Sequence, residues 1–219
     1  MPPPPRLRPA TLLELVLIEP GVYRRVLALD YQAEQFEVFH RRGLTRWVHY
    51  LGTPLILWAL LLLTAGHRLG PFPGPLVAAA ALAAWYLRLD LRVGLAASLE
   101  AGLLALLASL AADQGLTAAH ALAVLAVAAA AQNLSHSVEP VPPVLTGRGF
   151  EGFPAYWARA SGAHRVRLLA LNLCYLPLEV VSAPRLFPVH VLRALHRLGW
   201  RPGWAEDVRT RAAAILEGA

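Results

Sequence analysis

Three histidines, His40, His49 and His136, are the residues of this chain best suited to hold a metal ion, because each falls at the same end of an apolar segment. Imidazole nitrogen is a ligand for iron, zinc and copper alike. His40 and His49 are nine positions apart, which on one straight helix, at about 100° per residue, would put them on opposite faces. The intervening Arg41-Arg42-Gly43 argues for a break, with Gly43 suited to a left-handed helix stop and Thr45 to a fresh N-cap. Two helices meeting at that turn can bring both rings together. Gln132, His136 and Glu139 follow at i, i+4 and i+7, on one face of a later helix. Asp90, at a turn between two apolar segments, is expected on the same side. Three imidazoles and up to two carboxylates, Asp90 and Glu139, would then converge from three hairpin ends. Redox-active iron accepts that donor set, and the residues alone do not choose between iron and zinc.

The elements that must position these groups are membrane helices. Of 219 residues, 57% are hydrophobic and 16% charged, a balance that suits a polytopic membrane protein and leaves too little polar surface for a soluble domain. Apolar runs at 47–65, 76–87, 94–112 and 116–134 approach the about 20 residues that cross a ~30 Å hydrocarbon layer. The expected fold is all-α, a polytopic helical bundle of about four transmembrane helices. The run 168–181, interrupted by Asn172, Pro177 and Glu179, is short for a span and reads as a re-entrant or fifth helix. Amphipathic interfacial helices are expected at both ends, over 11–39 with a break at Pro20-Gly21 and around the Gly-Trp-Arg-Pro-Gly-Trp stretch at 199–204. These divide the chain into a disordered basic arm at 1–10, a membrane-embedded domain at 11–183 and an amphipathic cytoplasmic tail at 184–219.

Arginines gather before the first span and after the fourth, which places both termini in the cytoplasm of a bacterial inner membrane. The lipid bilayer is the expected partner, and oligomeric state is left open. The net charge of +6 is carried by arginine without any lysine, a compositional bias that points to no nucleic-acid partner. The single Cys174 excludes an internal disulfide framework, and the proline-rich start lacks the apolar core of a cleavable signal. Asp30, Glu34 and Glu37 are expected on a solvated face, with Glu37 near enough to His40 to orient its ring. Glu100 reads as a hydrogen-bonding partner inside the bundle, and His164, His190 and His196 as interfacial residues among arginines. His67 and His120 belong to the opposite end; sixteen residues on one helix put His120 about 24 Å from His136.

Four stretches taken in order resemble a membrane family that includes a fungal 2-hydroxy-palmitic acid dioxygenase. They are Phe39-His40 with His49 and Gly52-Thr53-Pro54; Tyr86 with Asp90 and Gly94; Gln132 with His136 and Glu139; and Leu176-Pro177-Leu178-Glu179. The resemblance implies an Fe(2+)-dependent dioxygenase that uses O2 to remove one carbon from 2-hydroxy fatty acids, as in fatty-acid α-oxidation. It also implies that His40, His49 and His136 hold the iron, with Glu139 or Asp90 completing the set. Arg41, Arg42 or Arg46 would receive the substrate carboxylate. Two other readings stay open: a non-catalytic lipid-binding or scaffold protein, and a zinc-dependent lipid hydrolase.

Overall fold

Helix α1 (Leu29–Phe39) gives way to α2 (Gly43–Leu63) at His40-Arg41-Arg42, where the chain was expected to break. The cause is different from the expected glycine stop. Gly43 is the first residue of α2, and Thr45 lies inside it, donating its hydroxyl to the Ser135 carbonyl at 2.9 Å. What ends α1 is a distant carboxylate. Glu139 accepts from the backbone N–H groups of Arg41 (3.0 Å) and Arg42 (2.8 Å), satisfying them outside any helix and placing negative charge at the α2 N-terminus. The structure, a computed structural model, describes residues 8–9, 27–139, 145–146 and 153–218. Most of the expected arm at 1–10 and the part of the expected interfacial helix before residue 27 lie outside these. Arg8–Pro9 pairs antiparallel with Leu145–Thr146.

Helices α3 (Gly74–Leu89) and α4 (Leu91–Asp113) form a tight hairpin. Asp90 caps α4 by accepting from the Val93 N–H at 2.9 Å, and Gly94 lets the two helices touch, since a Cβ there would meet the Tyr86 carbonyl oxygen at 2.4 Å. The buried alanines Ala97, Ala101, Ala105 and Ala108 continue that close approach down α4. After a turn at Gly115, helix α5 (Ala118–Ser135) returns beside α2, its start fixed by a capping box between Thr117 and His120. It ends in a 3-10 turn, His136–Val138.

A short helix α6 (Phe153–Arg159) leads to α7 (Gly162–Arg197), and α8 (Trp204–Gly218) follows. The chain is a helical membrane protein: α2, α4, α7 and α5 with its following turn are each long and apolar enough to cross a bilayer, and α3 is a shorter apolar helix. The run 168–181 is thus part of a continuous helix of 36 residues, which passes without a break through the boundary expected at 183/184. Residues assigned to a cytoplasmic tail, among them Phe187, Val189 and Leu192, are buried in the core.

The contacts of α7 show how it lies. Asn172 accepts from Asn133 near the end of α5, Glu179 faces His49 and His136, Pro184 accepts from Tyr86 near the end of α3, and Arg193 donates to Tyr50 near the start of α2. Those points span about 32 Å of α7 at 1.5 Å per residue, yet all their partners sit at one end of the bundle. Through this stretch α7 runs across that end rather than down its length.

Of the three prolines inside α7, Pro177, Pro184 and Pro188, the first was expected to interrupt it, and the structure shows how the last is accommodated. Pro188 has no N–H to offer the carbonyl four residues back, which is that of Pro184. The fully buried Tyr86 hydroxyl donates to that carbonyl instead, at 2.9 Å. Replacing Tyr86 with Phe should leave the carbonyl unpaired and cost about 1–3 kcal/mol, measured by thermal unfolding in detergent. An unchanged melting temperature would refute this role.

Candidate metal centre

His40 is the residue at which α1 stops, and its ring stacks on Phe36 with centroids 3.9 Å apart and planes within 4°. His49 lies in the second turn of α2, and His136 at the junction of α5 with its 3-10 turn. All three are buried, with ring centroids 4.1 Å (His40 to His49), 4.7 Å (His40 to His136) and 5.0 Å (His49 to His136) apart. One nitrogen from each lies within 4.8 Å of the others. Ligand atoms at about 2.1 Å from a shared ion stand roughly 3–4 Å apart, so small ring movements close the set.

Hydrogen bonding fixes which nitrogens can do this. His40 Nδ1 meets the Phe36 carbonyl at 2.7 Å and His49 Nδ1 meets the Thr45 carbonyl at 3.0 Å. A carbonyl only accepts, so each Nδ1 carries the hydrogen and each neutral ring keeps a bare lone pair on Nε2. Both Nε2 atoms are buried without a hydrogen-bond partner. Glu179 completes the arrangement from α7. Its buried carboxylate oxygens lie 3.6 Å from His49 Nε2 and 3.4 Å from His136 Nε2. Lone pairs and a carboxylate facing one another in a dry interior repel unless a cation or proton lies between them. That is the condition a bound divalent metal meets, and the backbone carbonyls behind the rings supply the outer partners metal-ligating histidines use.

The other residues singled out from sequence are placed elsewhere. Glu139 binds the Arg41 and Arg42 amides, and Asp90 caps α4 and pairs with Arg201 at 2.9 Å, so neither carboxylate joins the histidines. Arg41 and Arg42 are exposed. Arg46 donates to the His40 carbonyl and to Glu37, both at 2.7 Å, and so braces the turn that carries His40. Glu37 is buried, paired with Arg46 and Arg193, where a solvated face was expected. Asp30 pairs with Arg201 and Glu34 with Arg211. His190, expected at an interface, is buried with Nε2 at 3.1 Å from the Thr53 hydroxyl, which also accepts from Gln132.

Glu179 is the functional candidate that sequence reasoning missed as a ligand. Its signal was present, since an acidic residue inside an apolar run needs a partner. A small cavity of about 30 Å³, room for about one water, borders His40, His136, Glu179 and Arg185.

Burial holds the His40 pKa well below its usual 6.5, and the neighbouring His49 and His136 push it the same way. The unfolded chain therefore takes up a proton before the folded one does as pH falls. The stability of metal-free protein should be fully present above about 6.5 and decline below it, as read from melting temperature against pH in a chelating buffer. A flat profile from 7 to 5 would contradict this.

The chain is thus a helical membrane protein with a buried three-histidine cluster able to bind a metal ion. No family model, curated protein or solved structure matches it.

Proposed function

We propose that this protein is an Fe(II)-dependent membrane dioxygenase that removes one carbon from 2-hydroxy fatty acids. The observation that carries the reading is the convergence of two bare imidazole Nε2 atoms, a third buried histidine and the Glu179 carboxylate at one end of a membrane bundle. The motif resemblance supplies the reaction class. His40, His49 and His136 would hold the iron, and Glu179 would complete or orient the set. Iron so held supplies redox access to O2 and a Lewis-acid seat for the 2-hydroxyl and carboxylate of the substrate. Arg185, which donates to Gln32 at 3.0 Å and borders the small cavity beside His40, His136 and Glu179, is the cation we assign to the substrate carboxylate, because it is the arginine that lines that cavity. The cavity is small, so a head group displaces side chains as it enters.

Metal analysis of protein purified in detergent, with oxygen uptake on 2-hydroxyhexadecanoate, tests this directly. About one iron per chain is expected, with uptake that requires the 2-hydroxyl and fails on hexadecanoate. Arg185→Gln should lower kcat/KM by roughly 10–100-fold, as loss of a charge-assisted pair predicts. Zinc at the same stoichiometry, without oxygen uptake, would favour the hydrolase that a three-histidine, one-carboxylate set also permits. Protein free of metal and indifferent to loss of the histidines would favour a non-catalytic lipid-binding role.

A further inference from the structure

A second cavity, of about 210 Å³, lies on the flank of the bundle between the first turns of α2, the end of α7 and α4. It shares no lining residue with the cavity at the histidines. Its two ends differ in chemistry. Near the start of α2 stand Trp47, 60% exposed, and Tyr50, whose ring carries the Arg197 guanidinium at 5.4 Å and whose hydroxyl accepts from Arg193 at 3.2 Å. Arg193 pairs with Glu37, a carboxylate it shares with Arg46, whereas the exposed Arg197 forms no ion pair among the described residues. From Trp47 the wall descends α2 to Pro54, about 10 Å at 1.5 Å per residue, and ends among Phe187 and Glu100. His190, 9% exposed, lines the groove between the two ends, and its Nδ1 meets no partner.

An aromatic and cationic rim above an apolar wall is the pattern that a single-acid amphiphile fits, since Trp and Tyr favour the headgroup level and arginine the head itself. Glu100 sets the polarity. A carboxylate at the deep end repels a second acidic group there, so the acid must sit at the arginine end and the chain must point inward. We propose that this groove seats an anionic phospholipid of the surrounding bilayer, its phosphate on Arg197 and one acyl chain along the α2 wall from Trp47 towards Pro54. The site goes beyond the metal chemistry and does not depend on it. Anionic headgroups gather at basic membrane faces, so such a lipid is at hand where Arg197 lies.

The full chain reconstituted in phosphatidylcholine vesicles gives the test, with bromine on the lipid acyl chains as a short-range quencher of tryptophan. The Trp47 signal is obtained as the difference between the native protein and Trp47→Phe. Brominated phosphatidylglycerol at low mole fraction is expected to quench Trp47 several-fold more than brominated phosphatidylcholine. Arg197→Gln should erase that preference. Ala194→Phe, which fills the groove, leaves its charges in place and adds no tryptophan, should erase it too. Equal quenching by the two lipids, or a preference that survives Arg197→Gln, would overturn the site. Brominated fatty acid quenching as strongly as phosphatidylglycerol at equal mole fraction would overturn the assignment to a phospholipid.

Discussion

Alanine in place of His136 should strip the metal from the purified protein and take turnover of 2-hydroxyhexadecanoate below detection. Loss of an outer partner of a metal ligand typically costs ~10–100-fold in affinity or activity, and removal of a ligand itself should exceed that. The expectation follows from placement: His136 is the group that α5 contributes, while His40 and His49 come from the paired ends of α1 and α2. His40→Ala and His49→Ala should behave alike. Glu139→Gln gives the contrasting arm. Glu139 holds the Arg41 and Arg42 amides, so its replacement should lower stability by about 1 kcal/mol, the usual scale of a lost cap, and leave metal content unchanged. Metal loss in Glu139→Gln with metal kept in His136→Ala would reverse the assignments, and a wild-type helical spectrum in every variant would show that the fold is not the cause.

Much of this was legible because hydrocarbon thickness constrains sequence strongly. An apolar run of spanning length has few alternatives to a helix, so the runs that became α2, α4 and α5 announced themselves, and the order of runs put His40, His49 and His136 at one end. The carboxylates were harder. Glu139 was placed on the His136 face by extending the α5 period to i+7, but the helix gives way to a 3-10 turn at His136, and the changed rotation turns Glu139 towards the α2 N-terminus. Asp90 was drawn to the histidines by its position at a turn, where capping competes for the same side chain. Helix α7 was obscured by its prolines. A proline breaks a helix when the freed carbonyl stays unpaired, and nothing in the local sequence reveals that Tyr86, 98 residues away, supplies the donor to Pro184. With α7 divided in the reading, Glu179 looked like one more interruption.

Glu179 therefore carries the second large expectation, and its sign separates a metal ligand from a structural residue. In the metal-free protein its carboxylate faces His49 Nε2, a lone pair because the His49 Nδ1 hydrogen is taken by Thr45. Glu179→Gln puts an amide N–H donor where there was only an acceptor and removes a buried charge, so the melting temperature of the metal-free variant should equal or exceed that of the native protein. The same change removes the anion that would balance a divalent ion, and iron affinity should fall roughly 10–100-fold, about 1.4–2.8 kcal/mol. The metal-induced rise in melting temperature should shrink accordingly, by linkage between binding and folding. A residue that merely tied α7 to the bundle would give the opposite result, a metal-free protein that melts earlier and binds metal as before. The two quantities move in opposite directions only if the bundle was built around a cation, because only then does Glu179 make the empty protein less stable and the loaded protein more so.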